Sequence, residues 1–210
     1  MKRVAVAVEG ETEEELVKQL LSPHLADQGI LVDPIKPWSR GGNINVDRLA
    51  PHMAKLSWNY DAVTSLVDFY RFGRLEPGET VDDLTARIDA AIGNHSRREP
   101  RATPQFAYVQ QYELEALLFS DPSSFGVIAG LPASAVESLG QIAAGFGTPE
   151  DINDGDTTAP SKRVERCFKD HGMKYEKRLH GPAIANAIGL VRIREECPRF
   201  DGWVARLEAL

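Results

Sequence analysis

The sequence predicts an α/β fold: a mostly parallel sheet of about four strands flanked by helices, followed by a helical C-terminal elaboration. Three observations predict it. Short Val/Ala/Ile-rich runs alternate with helix-period segments through about residue 120, the pattern of consecutive βαβ units. The first run, Arg3 to Val8, is apolar at successive positions, which suits a strand covered on both faces. Beyond residue 120 the apolar spacing is mostly helical, so a soft boundary divides a core, 1–120, from an elaboration, 121–210, within what is expected to be one structural domain.

After the first strand, Leu16, Leu20, Leu21 and Leu25 recur on one helical face. Thr12 reads as the N-cap and Glu15 as its N3 partner in a capping box, and Gly29 closes the segment. Ile30 to Ile35 is a second strand, and its Pro34 suggests an edge position where a missing N–H matters least. Ser39 to Asn45 is a glycine-rich loop, too short a signal to cradle phosphates. A helix from about Asp47 to Trp58 turns Leu49, Met53 and Leu56 toward the core. Ala62 to Val67 is a third strand ending at Asp68, and Arg71 to Thr80 is a turn-rich connection. Asp82 to Ile92 is amphipathic, Phe106 to Gln110 is a fourth strand, and Glu113 to Phe119 starts another helix.

Farther on, Ser161 reads as the cap of a helix bearing Val164, Cys167 and Phe168 on one face. Pro182 reads as a first-turn proline, and Phe200, Trp203, Val204 and Leu207 pattern a last helix. Asp121, just before Pro122, reads as a turn or capping residue. Thr148 to Pro160 is the expected mobile loop.

Composition excludes several classes. The 210 residues are 42% hydrophobic and 26% charged, as in a folded globule. No run approaches the roughly 18 apolar residues of a membrane helix. The first eight residues imitate a signal peptide until Glu9, Glu11, Glu13, Glu14 and Glu15 end the likeness, so a cytoplasmic protein is expected. The 24 basic and 31 acidic residues leave a net charge of −7, which rules out a broadly basic coat but not a local basic patch. Cys167 and Cys197 form no CxxC pair and read as buried thiols. The five histidines show no zinc spacing. There is no GxxxxGK[ST] loop, so any ATP dependence must come from a partner.

Chemistry is expected where strands end in carboxylates. Glu9 follows Val8, Asp68 follows Val67, and Glu113 and Glu115 follow the fourth strand. Ligands of open α/β sheets bind outside the carboxyl ends of strands, so parallel strands would gather these acids on one rim. Such a cluster repels itself unless a cation shares the charge. Mg²⁺ suits it, because the ion takes hard oxygen ligands and keeps waters for phosphate oxygens to displace. Glu14 and Glu15 need no such role, since acids in a first helical turn offset the helix dipole.

The run Val4-Ala5-Val6-Ala7-Val8-Glu9-Gly10-Glu11-Thr12-Glu13 resembles the first motif of Toprim domains, and Leu66-Val67-Asp68-Phe69-Tyr70 stands where their Asp-x-Asp motif would lie. Val109 to Asp121, Pro160-Ser161-Lys162-Arg163, Gly189-Leu190, Ile193-Arg194 and Cys197-Pro198-Arg199-Phe200 before Trp203 resemble a family of small Toprim-like bacterial proteins of unknown function. That family is related to the nuclease domains of overcoming-lysogenization-defect proteins. The resemblance implies a Toprim-like fold, Mg²⁺ or Mn²⁺ as cofactor, a nucleic-acid substrate (DNA or RNA) and a separate ATPase partner, in some members within phage defence. It makes Glu9 a metal ligand or general base, Asp68 a ligand, Glu113 or Glu115 a further ligand, and Glu13 a supporting acid. Tyr70 replaces the second Asp of the motif and puts a two-metal site in doubt. On an α-helical wheel Glu115 lies opposite Leu114, Leu117 and Leu118, so Glu113 at the strand end is the slightly favoured ligand.

From Ser161 to His180 seven Lys/Arg outnumber three Asp/Glu, a local +4. Lys162, Arg163 and Arg166 are therefore candidate nucleic-acid contacts, with Lys162 also a catalytic candidate; the first two begin a helix whose free N–H groups could meet a phosphate. Arg97, Arg98 and Arg101 precede the fourth strand, on the wrong rim, and read as surface. The expected activity is metal-dependent phosphodiester hydrolysis. Its alternatives are a catalytically impaired Toprim-like scaffold serving a partner, and a phosphotransfer enzyme acting on small nucleotides, to which the −7 charge is better suited.

Overall fold

The computed structural model describes residues 1–36, 44–70, 72–96, 103–153, 155 and 157–210. Most of the glycine-rich loop, Arg71, the Arg97–Arg98–Arg101 cluster and two aspartates of the 148–160 loop lie outside the described residues. The chain forms two compact units, Met1–Gln110 with Arg206–Leu210, and Gln111–Ala205.

The first unit holds β1 (Lys2–Val8), α1 (Glu11–Leu16), α2 (Ser22–Ala26), β2 (Ile30–Ile35), α3 (Val46–Leu56), β3 (Ala62–Asp68), α4 (Val81–Ser96), β4 (Gln105–Phe106) and β5 (Val109–Gln110). The sheet runs in the order β2-β1-β3-β4, with β5 also beside β3, and every pairing is parallel. β2 is an edge strand, as Pro34 predicts. Val4 to Val8 and all of β3 are buried, which is why β1 is apolar at successive positions; β3 buries Thr64 and Ser65 within its run. On one face Ala5, Ala7, Val63 and Val67 form a core with Leu49 and Met53 of α3 and Leu84 and Ile88 of α4.

Three local expectations change. The first helix begins at Glu11, after extended Gly10, with no side-chain cap. Thr12 therefore falls inside the first turn, buried, and makes no capping box. A π-helical turn, Val17–Leu21, joins α1 to α2. It immediately precedes Ser22-Pro23, where the proline cannot donate the next i→i−4 bond. The expected fourth strand is two short ones. Between them Ala107 N donates to Asp89 Oδ1 (2.7 Å), while Ser65 Oγ bonds both Tyr108 N and Tyr108 O (3.0 Å each). Side chains thus take over the backbone pairing for those two residues.

The second unit is helical. A 3₁₀ helix, Leu114–Ser120, leads to α5 (Ser123–Ala129), α6 (Ala133–Ala144), α7 (Pro160–Asp170), α8 (Lys177–Ile188), α9 (Leu190–Glu196) and α10 (Pro198–Glu208). Asp121 Oδ1 accepts from Ser123 N (3.0 Å) and Ser123 Oγ (2.6 Å), the turn role expected of it. Pro182 sits inside α8, not in its first turn. Phe200, Trp203, Val204 and Leu207 are buried, as their spacing predicts. Both cysteines are free and buried, and burial pushes the Cys197 thiol up to about 12. Among the described residues no helix is long and apolar enough to cross a membrane.

Candidate functional site

In the first unit the parallel register pairs Val8 with Leu66. Glu9 is the residue after Val8, and Asp68 closes β3 two residues after Leu66. Both acids therefore stand at the carboxyl edge of neighbouring strands, which lie about 4.8 Å apart in a sheet. Asp68 is buried and Glu9 half-buried. β5 continues this edge, with Asp68 paired to Gln110 and Phe69 N donating to Gln110 O (3.0 Å).

Glu13 adds a third carboxylate near the end of β1. It is 5% exposed, and a Cβ built on Gly10 would lie 3.0 Å from Glu13 Oε2. Gly10 is extended rather than left-handed, so glycine is needed there for space: the carboxylate packs where a side chain would otherwise stand. Glu14 and Glu15 differ. Glu14 pairs with Lys18 (2.6 Å) and Lys36 (2.5 Å), and Glu15 with Lys18 (3.2 Å). These lysines hold both carboxyls below their ordinary range. Tyr70 is half-buried in the turn after β3.

The second unit contains three buried glutamates with three different surroundings. Glu113 accepts from Ser161 N (2.8 Å) and Ser161 Oγ (3.0 Å). Ser161 therefore caps nothing itself; a distant carboxylate caps the start of α7. Glu150 accepts from Arg199 N (2.8 Å) and Phe200 N (3.1 Å) and caps α10 in the same way. Glu115 is instead ion-paired, with Lys177 Nζ 3.1 Å from Oε2. Burial pushes the Glu115 carboxyl up, opposed by Lys177. Among the described residues the buried Tyr175 hydroxyl has no hydrogen-bond partner, and burial near Glu115 and Glu113 holds its phenol well above the usual range.

The wheel that set Glu115 opposite the leucines fails because the segment is 3₁₀, with three residues per turn, and Leu114 to Ser120 is buried all round. Tyr112, at φ +63°, lies in the left-handed region just before it. The amides expected to meet a phosphate are taken: Ser161 N by Glu113, Lys162 N and Arg163 N by Ala159 O. Lys162 Nζ pairs with Glu165 (2.7 Å). Arg163 turns inward, donating to Thr158 O (2.7 Å) with its guanidinium 5.4 Å from the Phe146 ring centroid. Arg166 is exposed beside a cleft of ≈ 560 Å³ that Lys162 and Lys169 also line. Glu150, Tyr175 and Lys177 are the polar residues sequence reasoning missed. Their partners are separated from them by tens of residues or by a loop, so no local motif marks them.

Among the described residues no three His, Cys, Asp or Glu side chains come together in a way that could hold a metal ion. Glu9 and Asp68 still suit Mg²⁺, which is commonly held by one or two carboxylates with waters and substrate phosphates completing its shell.

The chain is similar to the C-terminal region of the Burkholderia pseudomallei OLD protein, with 16% identity over 99% of each chain and a TM-score of 0.49. It is also similar to the C-terminal region of the Xanthomonas campestris pv. campestris OLD protein, with 16% identity over 100% of this chain and 99% of that one and a TM-score of 0.41. Comparison with curated proteins returns no match. The model of a domain of unknown function, DUF4276, matches residues 8–208, from the last residue of β1 to the end of α10, and the chain belongs to that family.

Proposed function

We propose that this protein is a Mg²⁺- or Mn²⁺-dependent nuclease of the Toprim type that hydrolyses phosphodiester bonds beside a separate ATPase. One observation carries the reading: β1 and β3 are parallel neighbours whose register brings Glu9 and Asp68 to the same edge of the sheet. That edge is where open α/β sheets take their ligands. Glu9 and Asp68 offer hard oxygen atoms to a divalent ion, and Glu13, packed over Gly10, adds negative potential behind them. When bound, such an ion would offset the charge that builds on the phosphate during hydrolysis. Glu9, the less buried of the pair, is suited to accept a proton from an attacking water.

A second reading, a Toprim-like scaffold with impaired catalysis, is favoured by two facts. Tyr70 stands where the motif would have its second Asp, and no three ligating side chains cluster among the described residues.

Nicking of supercoiled plasmid with Mn²⁺ separates the two. The nuclease reading expects wild-type cutting and a loss of about 100-fold or more in Glu9→Gln and Asp68→Asn. No cutting by the wild type would favour the scaffold. Equal cutting by all three proteins would trace the activity to a contaminant.

A further inference from the structure

We propose that the exposed face of α7 is a contact surface for the phosphodiester backbone of a nucleic-acid strand, made by Lys162, Arg166 and Lys169, and that Arg163 takes no part in it. The inference deepens the nuclease reading and rests on it for the identity of the polyanion.

Sequence spacing sets the geometry. Lys162, Arg166 and Lys169 stand at i, i+4 and i+7, one face of a helix, and span about 10 Å at 1.5 Å per residue. That is about three nucleotides of one duplex strand at 3.4 Å each. The opposite face, Val164, Cys167 and Phe168, is buried and fixes which side is outward. The three basic residues border the ≈ 560 Å³ cleft together with Thr157, Glu165 and Asp170.

Charge pairing then separates Arg166 and Lys169 from several other cations of the unit. Lys174, Lys177, Arg192 and Arg194 each face a carboxylate, and Arg163 is held by Thr158 O and Phe146. The side chains of Arg166 and Lys169 make no ion pair or hydrogen bond among the described residues. Lys162 offsets Glu165, so Asp170 is the cleft carboxylate left opposing an incoming phosphate. Two uncompensated cations one helical turn apart on a concave surface form an anion site. Their place on a helix side rather than its N-terminus suits an extended strand more than one terminal phosphate.

Fluorescence anisotropy of labelled single-stranded and duplex DNA, in EDTA so that nothing is cut, tests this directly. Each lost contact lowers the slope of log affinity against log salt by about 0.7 for a single strand and about 0.9 for a duplex. Arg166→Gln/Lys169→Gln should therefore lower it by about 1.4 or about 1.8, with roughly tenfold weaker binding at low salt. Arg163→Gln, checked for folding by circular dichroism, should keep the wild-type slope. Asp170→Asn should bind more tightly. A wild-type slope in the double variant, or no salt-dependent binding by the wild type, would overturn the proposal. Displacement of the strand by stoichiometric triphosphate would overturn it too, in favour of a small polyphosphate ligand. A protein that binds in this way yet never cuts leaves the surface intact and removes only the nuclease reading.

Discussion

Acidic side chains occupy two contrasting regions of this molecule. At the carboxyl edge of the sheet, Glu9 and Asp68 stand where neighbouring strands stop, with Glu13 in the helix that follows. In the helical unit, Glu113 and Glu150 are buried like Asp68 and Glu13, but each grips the first turn of a helix through two donors. Buried carboxylates therefore divide by position. One pinned by helix amides is a structural cap set in a favourable dipole. One at a strand tip stands at the edge where open α/β sheets take their ligands. Glu115 belongs to neither group, because it is buried and its partner is the ammonium of Lys177, 3.1 Å away.

The contrast breaks first on activity against stability. Glu9→Gln and Asp68→Asn should abolish most cutting while moving the urea-unfolding free energy by no more than about 1 kcal/mol, because each swap keeps the side chain's shape and a polar tip. A large loss of stability in either would class that acid with the caps. Glu150→Ala should do the reverse. It leaves two amides at the start of α10 without acceptors and should cost about 3 kcal/mol by urea midpoint.

A pH series sharpens the same point. Burial holds the Glu150 carboxyl above its ordinary range, partly offset by the two amides. A carboxyl raised by folding holds its proton more tightly when folded, so its contribution is fullest below the unfolded pKa and is lost as pH rises through the folded value. Wild type measured against Glu150→Gln should gain relative stability from about pH 7 down to about pH 4; a flat difference would mean that the amides dominate. Smaller effects follow. Ser161→Ala removes the hydroxyl donor to Glu113 but keeps the amide, for about 1–2 kcal/mol by thermal melt. Gly10→Ala should cost less than about 1 kcal/mol, since only the tip of Glu13 must move, yet it should lower cutting measurably. Unchanged cutting would remove Glu13 from the site.

The strands and their acidic tips were legible because each depends on local pattern. Burial on both faces favours strongly apolar runs, and a run that stops at Glu9 or Asp68 announces its own end. Asp121, Pro34 and the last helix were readable for the same reason. Lys169 was available too, at helical spacing from Lys162, but a charge count alone does not separate it from Arg163. The failures are the places where a residue's partner is remote. Ser161 carries the residue type of a cap, yet Glu113 does the capping. The fourth strand divides because Ser65 and Asp89 supply bonds that no nearby residue could.

By itself the sequence determined that parallel strands would exist, that carboxylates would stand at their ends, and that a basic helix would follow. Periodicity and composition encode such features within a few residues. Tertiary structure alone decided which carboxylates are caps, which lysines and arginines keep uncompensated charge, and that Glu115 lies buried against Lys177. Those outcomes depend on hydrogen-bond donors and counter-charges brought from elsewhere in the chain, and no local pattern records where they come to rest.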